Sequence, residues 1–343
     1  VRTVYRGGRD LDAWCEHHFS LGMADIVLIF DHLDQPEEAA DAARLASIYP
    51  SSLLTVWSGP QLMAEDWPSV PDDPDVAELK RLARSGSSSA AIAARQTLNA
   101  SAALQAAKAS VLGRRSLDWL IHLDVDEWFY LEGAGRGGET LSAHFSAASA
   151  AGLELIRYLN HELLLPHQPG SPPRFKVNPR LAAARLGPAG WNQLVQHLSM
   201  AQSDARPYFN SYLNGKSAVL VRAGATAAGV HGWTLTTPST GKNRLLAGPS
   251  ILHFSVASPG AFRRKYLHRA MSPDPPGPRP FLPSPAESAA LGLIRSLQRD
   301  GAGEATIATQ LDQLHACLTG FSESEVELLE EASLILTPDL SWH

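Results

Sequence analysis

The sequence predicts an α/β protein with a mostly parallel sheet flanked by helices, followed by a C-terminal helical region. Two observations support this prediction. Helix-like and strand-like segments alternate over residues 1–130, and such alternation is typical of parallel strands joined by helical crossovers. From residue 286 onward the pattern is helical only, which indicates that a helical region is appended to the α/β part.

The composition excludes several classes of protein. The chain has 343 residues, 44% of them apolar and 19% charged, with a formal net charge of −6. This balance supports a buried core, whereas an acidic chain lacks the clustered Lys and Arg with which proteins bind nucleic acid. The two cysteines are too few for a disulfide scaffold or a cysteine zinc site. No apolar run approaches the roughly 20 residues that span a bilayer, so we expect no membrane span within this chain.

The first half of the chain carries the alternation. Apolar residues at helical spacing predict helices, and short β-branched runs predict buried strands. The predicted strands are 3–5, 24–30, 52–57, 117–123 and 153–165. The predicted helices are 11–21, 36–48, 90–112 and 139–151. Residues 58–76 contain several prolines and are predicted to form a loop.

The second half is less regular. Residues 166–215 are rich in Pro, Asn and Gln, which predicts loops and short strands. Further strands are predicted at 217–222 and 250–255, and further helices at 259–270 and 286–336. We therefore predict three regions in sequence. They are an α/β domain over 1–271, a proline-rich linker over 272–285 and a helical region over 286–343.

The segment with the clearest chemical content is Asp124-Val125-Asp126, directly after the predicted strand 117–123. The carboxyl ends of parallel strands face the crevice in which open α/β sheets bind ligands. Two carboxylates are suitable ligands for Mg²⁺ or Mn²⁺, which usually complete their coordination with waters and substrate phosphates. A bare Asp-x-Asp is also compatible with an ordinary acidic turn. The aromatic residues around it, and His231-Gly232-Trp233 further along the chain, favour a functional site.

Residues 118–128, DWLIHLDVDEW, resemble the DVDEF-containing segment of GT-A-fold glycosyltransferases, specifically the family-2-like and family-92-like group. Other pieces resemble that group in the same order along residues 4–268. They are the helix at 14–22, the strand end at 27–31, the helix start at 96–100, the strand at 216–222, Val230-His231, and His253-Phe254 with Phe262 and Lys265. The chain departs from the group at Arg6-Gly7-Gly8, where an Asn-Glu pair is usual, and in the turn after Asp31.

The resemblance implies transfer of a sugar from a nucleoside-diphosphate sugar, with UDP as the expected nucleotide, to a hydroxyl of a glycan or glycoconjugate. It implies Mn²⁺ or Mg²⁺ at the site. Asp126 would be a direct ligand, Asp124 would reach the ribose or a metal-bound water, and His231 would be the third ligand. Asp31 would contact the base or the ribose. The expected location is the Golgi lumen, reached through an N-terminal anchor outside this sequence, with the cytoplasm as the second possibility.

The reaction itself suggests further candidates. An inverting transferase, which we expect, needs a base to deprotonate the acceptor hydroxyl, and Glu162 and Asp204 are the candidates for this role. Lys216 and Lys265 either balance the diphosphate charge or are ordinary surface lysines. Trp233 either stacks on a sugar or base or is a buried loop residue.

Two other functions stay open. The altered turn after Asp31 is compatible with a relative that has lost catalysis and only binds carbohydrate or a partner. An Asp-x-Asp phosphatase-like hydrolase is the second alternative. Against it, Glu127 and Trp128 follow the second aspartate, where such enzymes typically have a small residue, and a long segment precedes the strand.

Overall fold

The computed structural model describes residues 2–4, 11–31, 33, 35–68, 70–71, 73–86, 88–109, 118–133, 139–165, 171–200, 207–236, 243–255, 258–271 and 284–340. Within these ranges the helices are α1 (Leu11–Ser20), α2 (Pro36–Ile48), α3 (Gly59–Ala64), α4 (Pro74–Ala83), α5 (Ser89–Lys108), α6 (Leu141–Ala150), α7 (Pro179–Met200), α8 (Pro259–Met271), α9 (Pro285–Arg299), α10 (Glu304–Thr319) and α11 (Glu323–Glu331). The strands are β1 (Arg2–Val4), β2 (Ile26–Phe30), β3 (Leu54–Ser58), β4 (Trp119–Ile121), β5 (Glu127–Tyr130), β6 (Leu155–Leu163), β7 (Phe175–Lys176), β8 (Lys216–Leu220), β9 (Ala225–Ala228), β10 (Gly232–Leu235), β11 (Asn243–His253) and β12 (Ile335–Leu336).

The described strands form two main sheets and one hairpin. The strands β1, β2 and β3 form a parallel three-stranded sheet. A seven-stranded sheet has the order β12-β7-β6-β11-β5, and β8 joins it by pairing with both β6 and β4. The antiparallel hairpin of β9 and β10 forms a separate two-stranded sheet. The prediction of a mixed α/β architecture is thus confirmed.

The prediction of a mostly parallel sheet is wrong for the larger sheet. We expected residues 117–123 to belong to the same mostly parallel sheet as 24–30 and 52–57, but β4 lies in the larger sheet and pairs antiparallel with β8. In the described part of the larger sheet, only β6 and β11 run parallel. A parallel pair needs a crossover of a dozen or more residues. The helices α1 and α2 provide such crossovers, but β5 begins directly after the turn that follows β4.

Two predicted irregular segments contain helices. Residues 58–76 include α3 and the start of α4 because Pro60 and Pro74 occupy the first helical turns, where a missing N–H costs nothing. The side chains of Ser58 and Asp73 cap these helices. Residues 166–215 include α7, which is kinked at Gly187, where φ is 71°.

The C-terminal region is helical as predicted, but it also adds β12 to the edge of the sheet beside β7. Of the predicted linker over 272–285, residues 272–283 lie outside the described residues, and α9 begins at Pro285. The helices α8, α9 and α10 share a hydrophobic cluster around Phe262 and Leu311. The three-region division stays a prediction.

The core lies on both faces of β2. Leu28 and Phe30 pack in one cluster with α1 and the larger sheet, while Val27 and Ile29 pack on the other face against α5. Because both faces are covered, all five residues of β2 are buried. None of the described helices is both long and apolar enough to cross a bilayer, in line with the expected absence of a span.

Candidate functional site

A short turn between β4 and β5 carries the two aspartates. The backbone N–H of Asp124 donates to the Glu127 carboxylate (2.7 Å), and the N–H of Glu127 donates back to the Asp124 carbonyl (3.1 Å). The carbonyl of Asp126 accepts from the N–H of Phe254 (2.7 Å), at the end of β11. The side chains of Asp124 and Asp126 are 25% and 39% exposed. Both carboxylates are therefore held on a fixed turn while remaining accessible.

Lys216, at the start of β8, lies beneath this turn and is fully buried. Its Nζ is 2.8 Å from Asp124 Oδ2, 3.2 Å from Glu127 Oε2 and 2.7 Å from the carbonyl oxygen of Val230. Burial alone would lower the pKa of Lys216, but the two carboxylates raise it above its ordinary value. Because one ammonium serves two carboxylates, the more buried one is harder to ionise, and burial raises the pKa of Glu127 to about 7.

Asp126 has a different cationic partner. His253 Nε2 lies 3.5 Å from Asp126 Oδ2. Burial opposes ionisation of both groups, but their mutual attraction prevails, so the pKa of His253 is raised and that of Asp126 is held well below its usual range. Tyr212 lies between two imidazoles, with its ring centroid 4.0 Å from that of His231 and 5.1 Å from that of His253.

His231 is at the tip of the β9–β10 hairpin, next to Val230. Burial lowers its pKa well below the ordinary value, so the imidazole is neutral at pH 7. Its Nδ1 is buried and makes no hydrogen bond among the described residues. A neutral imidazole with a spare nitrogen is suited to ligate a metal, which agrees with the role expected from the sequence.

Asp31 follows β2 and is connected to the aspartate pair by α5. Arg95 Nε donates to Asp31 Oδ2 (3.2 Å), and the next residue, Gln96, donates through Nε2 to Asp124 Oδ1 (3.3 Å). Arg95 also donates to two carbonyls at the end of α4. The structure thus brings the candidate nucleotide contact and one of the candidate metal ligands, Asp124, to neighbouring residues of α5.

A row of buried charged side chains crosses the larger sheet next to this site. Glu127, His253, Glu162 and Lys176 are direct register partners on β5, β11, β6 and β7. Side chains of directly opposed residues lie on the same face of a sheet. Acidic and basic groups alternate along this row, so each buried charge has a neighbour of opposite sign.

Glu162 is one of the two candidate bases, but its carboxylate is fully engaged. Lys176 Nζ lies 2.7 Å from Glu162 Oε2, and the N–H of Asn210 donates to both carboxylate oxygens at 3.0 Å. Glu162 is 3% exposed, and hydrogen-bond donors of the protein already contact both of its carboxylate oxygens. These contacts argue against Glu162 as the base. The other candidate, Asp204, lies outside the described residues.

The remaining candidates differ in their surroundings. Trp233 is buried, and its Nε1 donates to the carbonyl of Ser217 (3.1 Å), so the indole connects β10 of the hairpin to β8. Lys265 on α8 is partly exposed and close enough to Asp126 to help keep it ionised. Lys216 is not a surface lysine, because it is fully buried. Its ammonium is paired with Asp124 and Glu127.

The donor set is compatible with one mode of metal binding. No group of three His, Cys, Asp or Glu side chains in the described ranges is arranged as a ready-made metal site. Mg²⁺ and Mn²⁺, however, commonly bind through one or two carboxylates together with substrate phosphates. The carboxylate of Asp126 is accessible, which suits an ion that is held jointly with a diphosphate.

Sequence reasoning missed Arg95 and Tyr212. Arg95 is the single cation in the first half of an Ala-rich helix, and a buried charge of that kind could have indicated a carboxylate partner. Tyr212 follows an irregular segment and offers no sequence signal.

Comparison with family models, with characterised proteins and with solved structures gave no match to this chain.

Proposed function

We propose that the protein is a metal-dependent glycosyltransferase with a GT-A-like active site. It moves a sugar from a nucleoside-diphosphate sugar, preferably a UDP-sugar, to a hydroxyl of a carbohydrate or glycoconjugate. The observation that supports this most strongly is the convergence of Asp31 and Asp124 on neighbouring residues of α5, with Asp126 accessible beside them. A nucleoside diphosphate presents its base and its phosphates at separate ends. This site offers Asp31 for the base and Asp126 for the metal ion that accompanies the phosphates.

In this proposal each residue has a distinct task. Asp126, with the imidazole of His231, holds Mn²⁺ or Mg²⁺, and the ion, when bound, neutralises the charge that develops on the leaving diphosphate. Lys265 adds positive charge near Asp126. The carboxylate of Asp31, oriented by Arg95, accepts a hydrogen bond from the uracil N3–H. Cytosine lacks this donor at N3, so CDP cannot form this hydrogen bond and UDP is preferred.

A donor-hydrolysis assay tests the proposal. The protein is incubated with a panel of UDP-, GDP- and CDP-sugars in Mn²⁺ or EDTA, and release of the nucleoside diphosphate is measured with and without sugar acceptors. Metal-dependent release of UDP, accelerated by an acceptor, is the expected result. Tight UDP binding without any release would indicate a relative that has lost catalysis. Release of inorganic phosphate from simple phosphoesters, without UDP release, would indicate a hydrolase instead.

A further inference from the structure

We infer that Lys216 is a built-in cation that keeps Asp124 and Glu127 from binding a divalent ion, so that the site takes up the metal only together with a diphosphate. This inference rests on the proposed function. It assigns Lys216 as a positioning residue rather than as a direct ligand of the donor. It also leaves Asp126 as the carboxylate available to the metal.

The surroundings of the ammonium carry the argument. A lysine ammonium has three N–H donors, and Lys216 Nζ has three oxygen neighbours at 2.7–3.2 Å, from Val230, Asp124 and Glu127. Lys216 is fully buried, so water does not compete for these donors. Carboxylate and carbonyl oxygens are also the ligands that Mg²⁺ and Mn²⁺ prefer. The ammonium therefore occupies a position that a divalent ion would otherwise take.

The local charge balance leads to the same conclusion. Three acidic side chains lie at this turn, and Lys216 and His253 pair with them. The excess negative charge is small, so a free divalent ion gains little by entering. A diphosphate supplies the missing negative charge and oxygen ligands, and the ion and nucleotide then bind together.

The same lysine connects the two parts of the candidate metal site. Val230, whose carbonyl accepts from Lys216, directly precedes His231 at the hairpin tip. Lys216 thus links the tip of the hairpin to the aspartate turn. Loss of the ammonium would free two carboxylates and loosen the hairpin at once.

The test is a Mn²⁺ titration without nucleotide, in which the electron paramagnetic resonance signal measures the concentration of free Mn²⁺. Lys216→Ala opens the ammonium position, and Lys216→Met fills it with a neutral chain of similar length. Lys176→Ala is the matched control, because Lys176 is likewise a buried lysine paired with a glutamate. We expect Lys216→Ala to bind Mn²⁺ at least about tenfold more tightly than the wild type, a change of about 1.4 kcal/mol. Lys176→Ala should stay within about threefold of the wild type, or about 0.7 kcal/mol. Lys216→Met removes the charge but keeps the position filled, so its Mn²⁺ affinity should lie between those of the wild type and Lys216→Ala.

A folded Lys216→Ala variant that binds Mn²⁺ no more tightly than the wild type would overturn the inference. An equal gain in Lys176→Ala would overturn it as well. If Lys216→Ala does not fold, the double variant Lys216→Met/Asp124→Asn decides. It should melt at a higher temperature than Lys216→Met, because the unpaired carboxylate is gone, and an equal or lower melting temperature would contradict the pairing. These measurements need no nucleotide-sugar, so they test the inference separately from the proposed function. A wild-type protein that binds no nucleoside diphosphate in Mn²⁺ would disprove the proposed function alone.

Discussion

Asp124 and Asp126 are separated by one residue, yet their partners give them different functions. Asp124 pairs with a fully buried lysine that cannot lose its charge cheaply, whereas Asp126 is more exposed and pairs with a histidine that can release its proton. The sequence motif identifies both carboxylates as candidate ligands. It cannot distinguish them, because Lys216 and His253 are far away in the chain and only the fold brings them to the turn.

Substitutions at the two aspartates should therefore differ in their effects, with Asp124 mattering more for stability and Asp126 more for sugar transfer. Asp124→Asn leaves Lys216 with Glu127 as its remaining carboxylate and should lower the free energy of unfolding by about 1–3 kcal/mol, since a hydrogen bond to a charged group is weakened. Asp126→Ala should change stability by about 1 kcal/mol or less, because its ion pair is partly exposed. It should reduce sugar transfer by about 10³-fold or more, since a metal ligand is lost. Urea denaturation and transfer rates measure both effects, and a larger stability loss in Asp126→Ala would contradict this account.

At the scale of single elements, the end of β3 determines where Asp31 can lie. Gly59, the first residue of α3, passes so close to Asp31 that a Cβ atom there would lie 2.6 Å from Oδ1 and 3.0 Å from the carbonyl oxygen of Phe30. No other residue type fits without displacing the Asp31 side chain. From the sequence, the prolines of residues 58–76 predicted a loop here. The close approach that requires glycine depends on the pairing of β2 with β3.

Gly59→Ala tests this constraint. We expect it to destabilise the protein by about 1–3 kcal/mol through overpacking. It should also weaken UDP binding by about tenfold, because Asp31 is displaced. Gly292→Ala is the control. Gly292 lies in α9 with no atom near its Cβ position, and alanine should stabilise the helix there by up to about 1 kcal/mol. Unchanged UDP affinity in a folded Gly59→Ala protein would argue against Asp31 as a nucleotide contact.

At the scale of the whole molecule, the sequence predicts the positions of most elements but not how the strands pair. The strands β2, β3 and β6 and the helices α1, α2, α5 and α6 lie close to their predicted ranges, because each has a clear apolar period. The larger sheet was not predictable in this way. The strand β11 extends from Asn243 to His253, but its first half has a mixed pattern and only its end was recognised. Strand direction depends on contacts between distant segments, and local periodicity does not record these.

The buried histidines should make the stability of the whole molecule depend on pH. Burial lowers the pKa of His161 to about 4, and its Nδ1 accepts a hydrogen bond from the N–H of Asn178. A histidine with a depressed pKa contributes stability above its unfolded pKa of about 6.5, and this contribution is lost as the pH falls toward the folded value. Glu127 and His253 have raised pKa values and act in the opposite direction, so a variant is needed to isolate the effect.

His161→Gln provides that isolation. The stability difference between the wild type and His161→Gln should shrink by about 2–3 kcal/mol between pH 6.5 and pH 4.5, since one fewer proton is taken up when the variant unfolds. Chemical denaturation at several pH values measures this difference. A difference that stays constant over this range would show that His161 is not held neutral by the fold.

The central claim is that Asp126 holds a divalent ion jointly with the diphosphate of a nucleotide. Calorimetric titration of UDP into the wild type and Asp126→Ala, each in Mn²⁺ and in EDTA, tests it most directly. The account predicts that Mn²⁺ strengthens UDP binding to the wild type by at least about tenfold, equivalent to about 1.4 kcal/mol, and has no such effect in Asp126→Ala. Equal UDP affinity in Mn²⁺ and EDTA, or a metal effect that survives in Asp126→Ala, would contradict it.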